Sequence, residues 1–325
     1  MRNPLRRLPV AGRSVEPGDA TVDLAVQVGS VRLANPVMTA SGTAGHGDEL
    51  SAFGDLGALG AVVVKSLAAY EWAGNPSPRV HPTAAGMINA VGLQGPGVEA
   101  WRRDELPALR ACGALVVASI WGRSVEDYRR AADLLADSGV TAVEVNLSCP
   151  NLEGRRGIFA HDPDLSAAVV EATAGCGLPR WAKLSPNTDR VTEVAGAVHE
   201  AGAEAVTLVN TLLGMVIDTD TGRPVLGAGG GGASGVGIHP VAVRAIYDVH
   251  AAHPDLPIVG VGGVTGGESA AELLLAGASA VQVGTASFAD PRAPWHVLDE
   301  LAAWARAHRI ERIADISGAA HRGGW

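Results

Sequence analysis

Eight short apolar runs that alternate with helical patterns constrain the fold of this chain more than any other feature. Each run is rich in valine, isoleucine or alanine and is bounded by glycine or polar residues. Apolar runs without alternation are typical of strands that are buried on both faces. The runs are PVMTAS (36–41), AVVVKS (61–66), LVVASI (115–120), AVEVNLS (142–148), WAKLSP (181–186), AVTLVNT (205–211), PIVGVGG (257–263) and AVQVGTA (280–286).

The segments between these runs predict amphipathic helices, so the chain is a series of strand–helix units. Eight such units are the signature of a closed (β/α)8 barrel, the TIM barrel of the α/β class. An open doubly wound sheet is the alternative, but ASGTAGHG (40–47) after the first strand lacks its GxGxxG fingerprint. The predicted helices cover 125–138, 163–174, 190–202, 240–253, 267–277 and 294–308.

The regions outside this repeat predict further features of a single domain. Alternation in 21–35 indicates a β-hairpin with its turn at Gly29 and Ser30, placed to close the bottom of the barrel. No linker divides residues 1–325, and 1–20 are expected to be a flexible N-terminal segment. Long loops of this fold lie at the C-terminal face and are usually functional. The long connections are 67–108, 149–163 and 212–239.

Composition excludes several classes of protein. Hydrophobic residues make up 47% of the 325 and charged ones 18%, which excludes intrinsic disorder. With 25 basic and 34 acidic residues the net charge is −9, which argues against nucleic acid or an anionic membrane as partner. No apolar run approaches the ~20 residues of a spanning helix, and no apolar stretch follows the N-terminal arginines. We therefore expect a cytoplasmic protein.

Cysteine and histidine spacing bears on the cofactor. Cys112, Cys149 and Cys176 are isolated, so they form neither a disulfide framework nor a zinc or iron–sulfur spacing. None of the ten histidines has a metal-ligand spacing, and no metal is expected. Any electron transfer therefore requires a bound organic cofactor. His46 and His239 are expected near the active face, with a plain surface position as the alternative.

Lysine is the most informative residue type. Only two of the 25 basic residues are lysines, Lys65 and Lys183, and both fall at the ends of predicted strands. A lysine inside a barrel strand is a costly buried charge, which favours a functional role over chance. Other polar or small residues share these strand ends or the adjoining loops: Ser41, Ser66, Ser119, Asn146, Asn210, Thr211, Gly262, Gly263, Gly284, Thr285, Asn89 and Asn151.

Several loops at this face bear on the chemistry. The glycines after strands seven and eight, at 262–263 and 284, fit a phosphate that binds backbone N–H groups, although tight turns would also explain them. Cys149 in VNLSCPN suits acid–base or nucleophilic work, whereas Cys112 and Cys176 are expected to be inert. The glycine-rich GAGGGGASG (227–235) is interpreted as a flexible loop.

These motifs together resemble the dihydroorotate dehydrogenases, specifically the soluble group with a cysteine base (class 1). The resemblance runs from about residue 22 to 293, and the segment 210–226 is most similar to NAD-linked (1B) catalytic subunits. The matching motifs are ASGTAGHGDEL (40–50), VVVKS (62–66), GNPSPRV (74–80), GMINAVGLQ (86–94), NLSCPN (146–151), AKLSPN (182–187), VNTLLGM (209–215), SG (234–235), VGVGGV (259–264) and VGTASFADP (283–291).

The resemblance implies FMN-dependent oxidation of dihydroorotate to orotate in pyrimidine biosynthesis. Cys149 matches the base that removes a proton from carbon 5, while hydride leaves carbon 6 for flavin N5, and Lys183 would support negative charge on the flavin. Lys65 is expected to contact both ligands. The implied FMN positions are Ser41, Lys65, Ser66, Ser119, Asn146, Lys183, Val209, Gly235, Gly262, Gly263, Gly284 and Thr285. The implied substrate positions are Lys65, Asn89, Ala90, Val91, Gly92, Leu93, Asn146, Asn151, Asn210 and Thr211.

The resemblance also implies partners. An NAD-linked catalytic subunit would need an electron-transfer subunit with FAD and an iron–sulfur cluster, in a homodimer or heterotetramer. The chain departs from the family pattern at four positions, Trp72, Gly95, Ser119 and His239. These departures keep open a related flavin enzyme acting on another dihydropyrimidine or on a secondary metabolite. A Schiff-base aldolase that uses either lysine, and a non-catalytic binding barrel, are the alternatives without flavin.

Overall fold

The computed structural model describes residues 21–148 and 159–324, and their central feature is an eight-stranded parallel sheet. The strands of the described residues are β1 (Val26–Val28), β2 (Val31–Leu33), β3 (Val37–Thr39), β4 (Val62–Val63), β5 (Val80–Thr83), β6 (Gly86–Asn89), β7 (Val116–Ile120), β8 (Ala142–Asn146), β9 (Arg180–Lys183), β10 (Ala205–Leu208), β11 (Leu212–Gly214), β12 (Ile217–Asp218), β13 (Arg223–Pro224), β14 (Gly231–Ser234), β15 (Ile258–Val261) and β16 (Ala280–Val283).

The parallel sheet closes into a barrel. Its strand order is β3-β16-β15-β10-β9-β8-β7-β4. A parallel bridge between Met38 and Ala61 joins the two end strands, supported by a 2.8 Å bond from the Gly60 amide to the Val37 carbonyl. The interior and the layer beneath the helices are filled by valine, alanine, leucine and isoleucine. The predicted (β/α)8 barrel is confirmed, and each of the eight predicted strands is present.

Helices cover the outside of the barrel. All six predicted helices are present, and no end is shifted by more than five residues. Two short helices at the end of the connection 67–108 and just beyond it were missed, because each is only six or seven residues long and therefore has little periodicity. In the described residues the helices are α1 (Val98–Asp104), α2 (Leu106–Ala111), α3 (Val125–Asp133), α4 (Pro163–Ala172), α5 (Val191–Glu200), α6 (His239–Ala252), α7 (Gly267–Ala276), α8 (Ala286–Ala289) and α9 (Ala293–Ala307).

The N-terminal hairpin lies at the amino ends of the barrel strands, as predicted. β1 and β2 pair antiparallel, and Val26, Val28, Val31 and Leu33 are buried. The amide of Ser30 in the turn donates to the Glu204 carboxylate at 2.7 Å, and Glu204 directly precedes β10. This end of the barrel is therefore covered, which leaves the opposite end for a ligand.

A second sheet stands at the opposite, carboxyl end. Its four antiparallel strands have the order β11-β14-β6-β5 and come from the long connections 67–108 and 212–239. β12 and β13 form a small separate hairpin beside them. The interpretation of 227–235 as a flexible loop is wrong for 231–234, because β14 pairs with both β6 and β11.

The glycines of β14 are explained by close neighbours. A Cβ at Gly231 would lie 2.3 Å from the Asn89 carbonyl oxygen, and one at Gly232 would lie 2.0 Å from Thr211 Oγ1. Side chains at these two positions would push the sheet apart, so Gly231 and Gly232 are a packing requirement. Among the described residues, no helix combines the length and apolar character that crossing a bilayer demands. The segment 1–20 lies outside the described residues.

Candidate active site

The carboxyl ends of the barrel strands and the second sheet surround a cavity of about 310 Å³. This volume falls within the range of small-molecule sites, and the position is where barrels of this kind carry their chemistry. Asn89 of β6, Leu213 of β11 and Ser234 of β14 form part of the wall. The long connections therefore contribute one side of the site, as expected.

Most of the predicted site residues meet at this cavity. Ala90 and Ser119 are described by the structure but do not line it. Cys149 and Asn151 lie outside the described residues, so their predicted roles stay predictions. The predicted residues that line the cavity are Ser41, Lys65, Ser66, Asn89, Val91, Gly92, Leu93, Asn146, Lys183, Val209, Asn210, Thr211, Gly235, Gly262, Gly263, Gly284 and Thr285.

Ala90 and Ser119 are turned away for different reasons. Ala90 follows β6 and packs with Ile88 and Leu226 in a small apolar cluster, while its neighbours Asn89 and Val91 face the cavity. Successive side chains of an extended segment point to opposite faces. Ser119 is fully buried beneath the wall. Its short side chain stays below the surface that a longer asparagine would reach.

The two lysines give the cavity its charge. Lys183 at the end of β9 is 5% exposed, and its Nζ lies 3.4 Å from Glu144 Oε1. Burial, followed by the nearby charge of Arg79, lowers the pKa of Lys65 below its usual value. The described residues that line the cavity include both lysines and no aspartate or glutamate. The site is therefore cationic in a chain whose net charge is −9, which favours anionic ligands.

Amide side chains form one wall of the site. Asn210 Nδ2 donates to Asn146 Oδ1 at 3.1 Å, and Asn146 Nδ2 donates to Ser66 Oγ at 3.2 Å. Asn187 Nδ2 donates to the Thr211 carbonyl at 3.0 Å. These bonds hold the amides in one orientation, with further donors and acceptors available to a ligand. Such a wall suits a ring that itself carries amide groups.

Glycines at the ends of β15 and β16 form another part of the lining, the glycine wall. Gly263 has a φ of +70°, and a Cβ there would lie 2.6 Å from His239 Cβ. A Cβ at Gly284 would lie 3.3 Å from Ala40 Cβ and 3.7 Å from Thr43 Cγ2, both of which line the cavity. Any larger side chain at 284 would narrow the space. The short helix α8 begins directly after Thr285, nearer than the predicted start at Pro291.

Two of the four departures from the family pattern, Trp72 and Gly95, lie together near Lys65. Trp72 Nε1 donates to the carbonyl of Gly92, a cavity residue, at 3.0 Å. Trp72 and Gly95 also exchange backbone hydrogen bonds of 2.9 and 3.0 Å. A Cβ at Gly95 would lie 3.2 Å from His46 Nε2, so the asparagine of the family pattern would meet this ring. These changes therefore form one connected region next to the site.

The two histidines expected at this face are near the cavity but do not line it. Burial is the main cause that lowers the pKa of His46, and the charge of Lys65 adds to it. His239 Nδ1 lies 2.8 Å from the Gly262 carbonyl oxygen, and Nε2 lies 3.0 Å from Glu272 Oε2. His239 therefore holds the end of β15 against α7 and supports the glycine wall from behind.

Sequence reasoning missed Glu144, Asn187 and Ser234. Glu144 is an acidic residue within an otherwise apolar strand, which is a signal that could have singled it out. Asn187 ends the quoted motif AKLSPN, and Ser234 accepts a 2.8 Å hydrogen bond from Thr285 Oγ1. For these two, only the folded structure shows the contact with the site.

Comparison with known proteins decides the family. The Dihydroorotate dehydrogenase family profile matches residues 23–304. The chain belongs to the dihydroorotate dehydrogenase family. The resemblance found from the motifs is thereby confirmed, and members of this family are flavin-dependent oxidoreductases that act on dihydroorotate in pyrimidine biosynthesis. The chain is an oxidoreductase of this family.

Individual relatives cover nearly the whole chain. The "Dihydroorotate dehydrogenase B (NAD(+)), catalytic subunit" of Desulforudis audaxviator is 46% identical, over 93% of this chain and 99% of the relative. The protein of the same name from Alkaliphilus oremlandii is 43% identical, over 91% and 98%. A Solibacter usitatus relative, provisionally named dihydroorotate dehydrogenase A (fumarate), is 44% identical over 92% and 98%. Dihydroorotate dehydrogenases of both the NAD and the fumarate type therefore resemble this chain.

Proposed function

We propose that this dihydroorotate dehydrogenase binds FMN and dihydroorotate together in the cavity and oxidises dihydroorotate to orotate. The observation that carries the proposal is the make-up of the cavity lining. It combines glycines at the ends of β15 and β16, the amides Asn89, Asn146 and Asn210, and the two lysines. A lining with groups for both an anion and an amide suits a phosphate-bearing cofactor beside a small ring with one carboxylate.

The glycine wall supports FMN as the flavin. Gly262, Gly263 and Gly284 would hold its phosphate through backbone N–H groups, with Thr285 beside them. The narrow space at position 284 fits this placement, because a side chain there would enter it. FMN supplies a two-electron acceptor for hydride when bound. Lys183 would place its positive charge where negative charge grows on reduction.

The amide wall and Lys65 support the substrate site. Three amide side chains line the cavity and can form hydrogen bonds with the donors and acceptors of the dihydroorotate ring. They are those of Asn89, Asn146 and Asn210. Lys65 lies in the same cavity and would pair with the substrate carboxylate. Asn151 is proposed as a further contact, on the family resemblance alone.

Cys149 is proposed as the base that takes the proton from carbon 5. A thiol ionises far more readily than an aliphatic hydroxyl, and a base near its working pH contributes about 10²–10⁴ in rate. Cys149→Ser should therefore keep the flavin and orotate binding but slow flavin reduction by at least about a hundredfold. Stopped-flow bleaching of the flavin band across pH measures this rate. Cys112→Ser and Cys176→Ser are the controls, and a parent-like rate in Cys149→Ser would place the base elsewhere.

An absorption spectrum tests the proposed function. The purified protein should be yellow, contain FMN, and bleach when dihydroorotate is added without oxygen. Gly284→Val should lose most of its flavin, because the new side chain meets Ala40 and Thr43. A colourless parent protein that dihydroorotate leaves unchanged would disprove the proposal. A protein that borohydride traps with a substrate would favour the aldolase alternative.

Electron transfer beyond the flavin is proposed to need a second subunit with FAD and an iron–sulfur cluster, in a homodimer-based or heterotetrameric assembly. The similarity to type B catalytic subunits supports this. Dihydroorotate should reduce the chain alone, yet the reduced chain should not pass electrons to NAD. Efficient NAD reduction by the purified chain would overturn the proposal, and efficient fumarate reduction would favour the type A alternative.

A related flavin enzyme with another dihydropyrimidine substrate is the second candidate. The connected changes at Trp72 and Gly95 favour it, because Trp72 bonds to the cavity residue Gly92 and Gly95 lies against His46 near Lys65. Flavin bleaching by a panel of dihydropyrimidines separates the two candidates. Faster bleaching by another member of the panel than by dihydroorotate would support the second.

A further inference from the structure

A fully buried carboxylate lies beneath the cavity with no role in the proposed reaction. Glu144, in the middle of β8, is 0% exposed and does not line the cavity. Its side chain and that of Lys183 are 0% and 6% exposed. Every other ion pair among the described residues has a partner that is more than about 40% exposed, which leaves Lys183–Glu144 as the buried pair there. Burying such a pair is costly unless its surroundings compensate it.

The surroundings of Glu144 are arranged for an ionised carboxylate. Oε1 accepts hydrogen bonds from Ser119 Oγ at 3.1 Å and from Lys183 Nζ at 3.4 Å, and Oε2 accepts from Gln282 Nε2 at 2.9 Å. All three partners donate, and an ionised carboxylate only accepts. They come from β7, β9 and β16, so the closed barrel itself holds them in place.

The carboxylate is connected to the cavity by two routes. One is Lys183, which lines the cavity and contacts Glu144 directly. The other is a chain of hydroxyls, in which Ser119 Oγ lies 2.9 Å from Ser66 Oγ and Ser66 Oγ lies 3.1 Å from Ser41 Oγ. Ser66 and Ser41 line the cavity. The departure at Ser119 thus joins the wall of the site to the buried carboxylate.

We propose that Glu144 is a positioning residue that acts through Lys183, as its counter-ion, and so sets the reduction potential of the bound flavin. The proposal rests on the proposed function, in which the flavin occupies this cavity. Lys183 alone would strongly favour the more negative reduced flavin, since charges interact strongly inside a protein. Glu144 offsets that charge and keeps the potential lower, while it holds the ammonium at the cavity wall.

The test is the two-electron midpoint potential of the flavin-loaded protein, measured by equilibrium with a reference dye. Glu144→Gln should raise the potential, with at least a tenfold change in the reduction equilibrium, which is about 30 mV for two electrons. Lys183→Met should lower it by a similar amount. Glu193→Gln is the matched control and should leave the potential unchanged, because Glu193 pairs with Arg190 at the surface.

The double variant Glu144→Gln, Lys183→Met decides between charge balance and a merely structural role. Both buried charges are then absent, so the potential should return close to that of the parent. If Glu144→Gln does not fold, the double variant is compared with Lys183→Met instead. A higher midpoint potential in the double variant would support the proposal. Equal potentials in those two proteins would overturn it, as would an unchanged potential in folded Glu144→Gln. A parent without flavin would instead mean that the proposed function itself has failed.

Discussion

The two lysines of the cavity lie in opposite electrostatic surroundings. Lys183 is held by a buried carboxylate, so its charge is balanced within the protein. Lys65 has no acidic partner among residues 21–148 and 159–324, and the guanidinium of Arg79 is close enough to lower its pKa further. One cation is therefore balanced within the barrel, whereas the other has its charge available to a ligand. The difference teaches that two lysines at strand ends of one cavity can differ in whether the protein itself supplies their counter-ion.

The largest expected effect is on stability, and it should separate the two lysines. Lys183→Met leaves Glu144 as a lone buried charge, which should lower the free energy of unfolding by about 3–5 kcal/mol. Lys65→Met removes a cation whose burial is unfavourable, because no acidic group in the described part of the chain pairs with it. The free energy of unfolding should therefore be unchanged or slightly higher. Denaturant unfolding of the flavin-free proteins measures both. Equal losses of unfolding free energy in the two variants would contradict the difference between the two lysines.

The next effect is on ligand affinity, and here the order of the two lysines should reverse. Lys65→Met removes the charged donor proposed for the orotate carboxylate, and the expected loss is about 1.5–3 kcal/mol, or roughly 10- to 150-fold in affinity. The flavin should remain bound, because the glycine wall is untouched. Titration of the flavin spectrum with orotate gives the dissociation constant. An unchanged constant would show that another group receives the carboxylate.

The smallest effect is on the pH dependence of stability, and it tests the surroundings of Lys65. Burial and Lys65 lower the pKa of His46, so below about pH 6.5 the unfolded chain binds a proton that the folded chain does not. Stability should consequently fall as the pH decreases through this range. His46→Gln should weaken that dependence in thermal melts recorded between about pH 7 and pH 5. His296→Gln is the control, because this half-exposed histidine pairs with Asp290 at the surface, and it should not weaken that dependence.

The barrel could be predicted because its information is local. Strands buried on both faces need continuous apolar runs, and each run, such as that of β7 or β15, lies within a few residues. The location of the strand ends then follows from the barrel fold, since the carboxyl ends of all its strands lie at one face. Lys65, Lys183, Asn146 and Asn210 could therefore be placed together before any contact was known.

The second sheet could not be predicted in the same way. β14 pairs with β6 across more than 140 positions of the chain, as in Gly232 with Asn89, and its glycines give no strand signal of their own. The same limit applies to Glu144. Its charge is visible in the sequence, but its partners Ser119, Lys183 and Gln282 lie on three other strands.

The sequence by itself determined the barrel, the face that carries the chemistry and the family to which the chain belongs. Apolar periodicity and short motifs each span only a few residues, so they can be recognised without a structure. The tertiary structure decided which lysine has a counter-ion, why 231–234 consists of small residues, and how Ser119 joins the wall to Glu144. Each of these depends on groups from separate strands that come into close contact, and only the assembled barrel and second sheet bring them there.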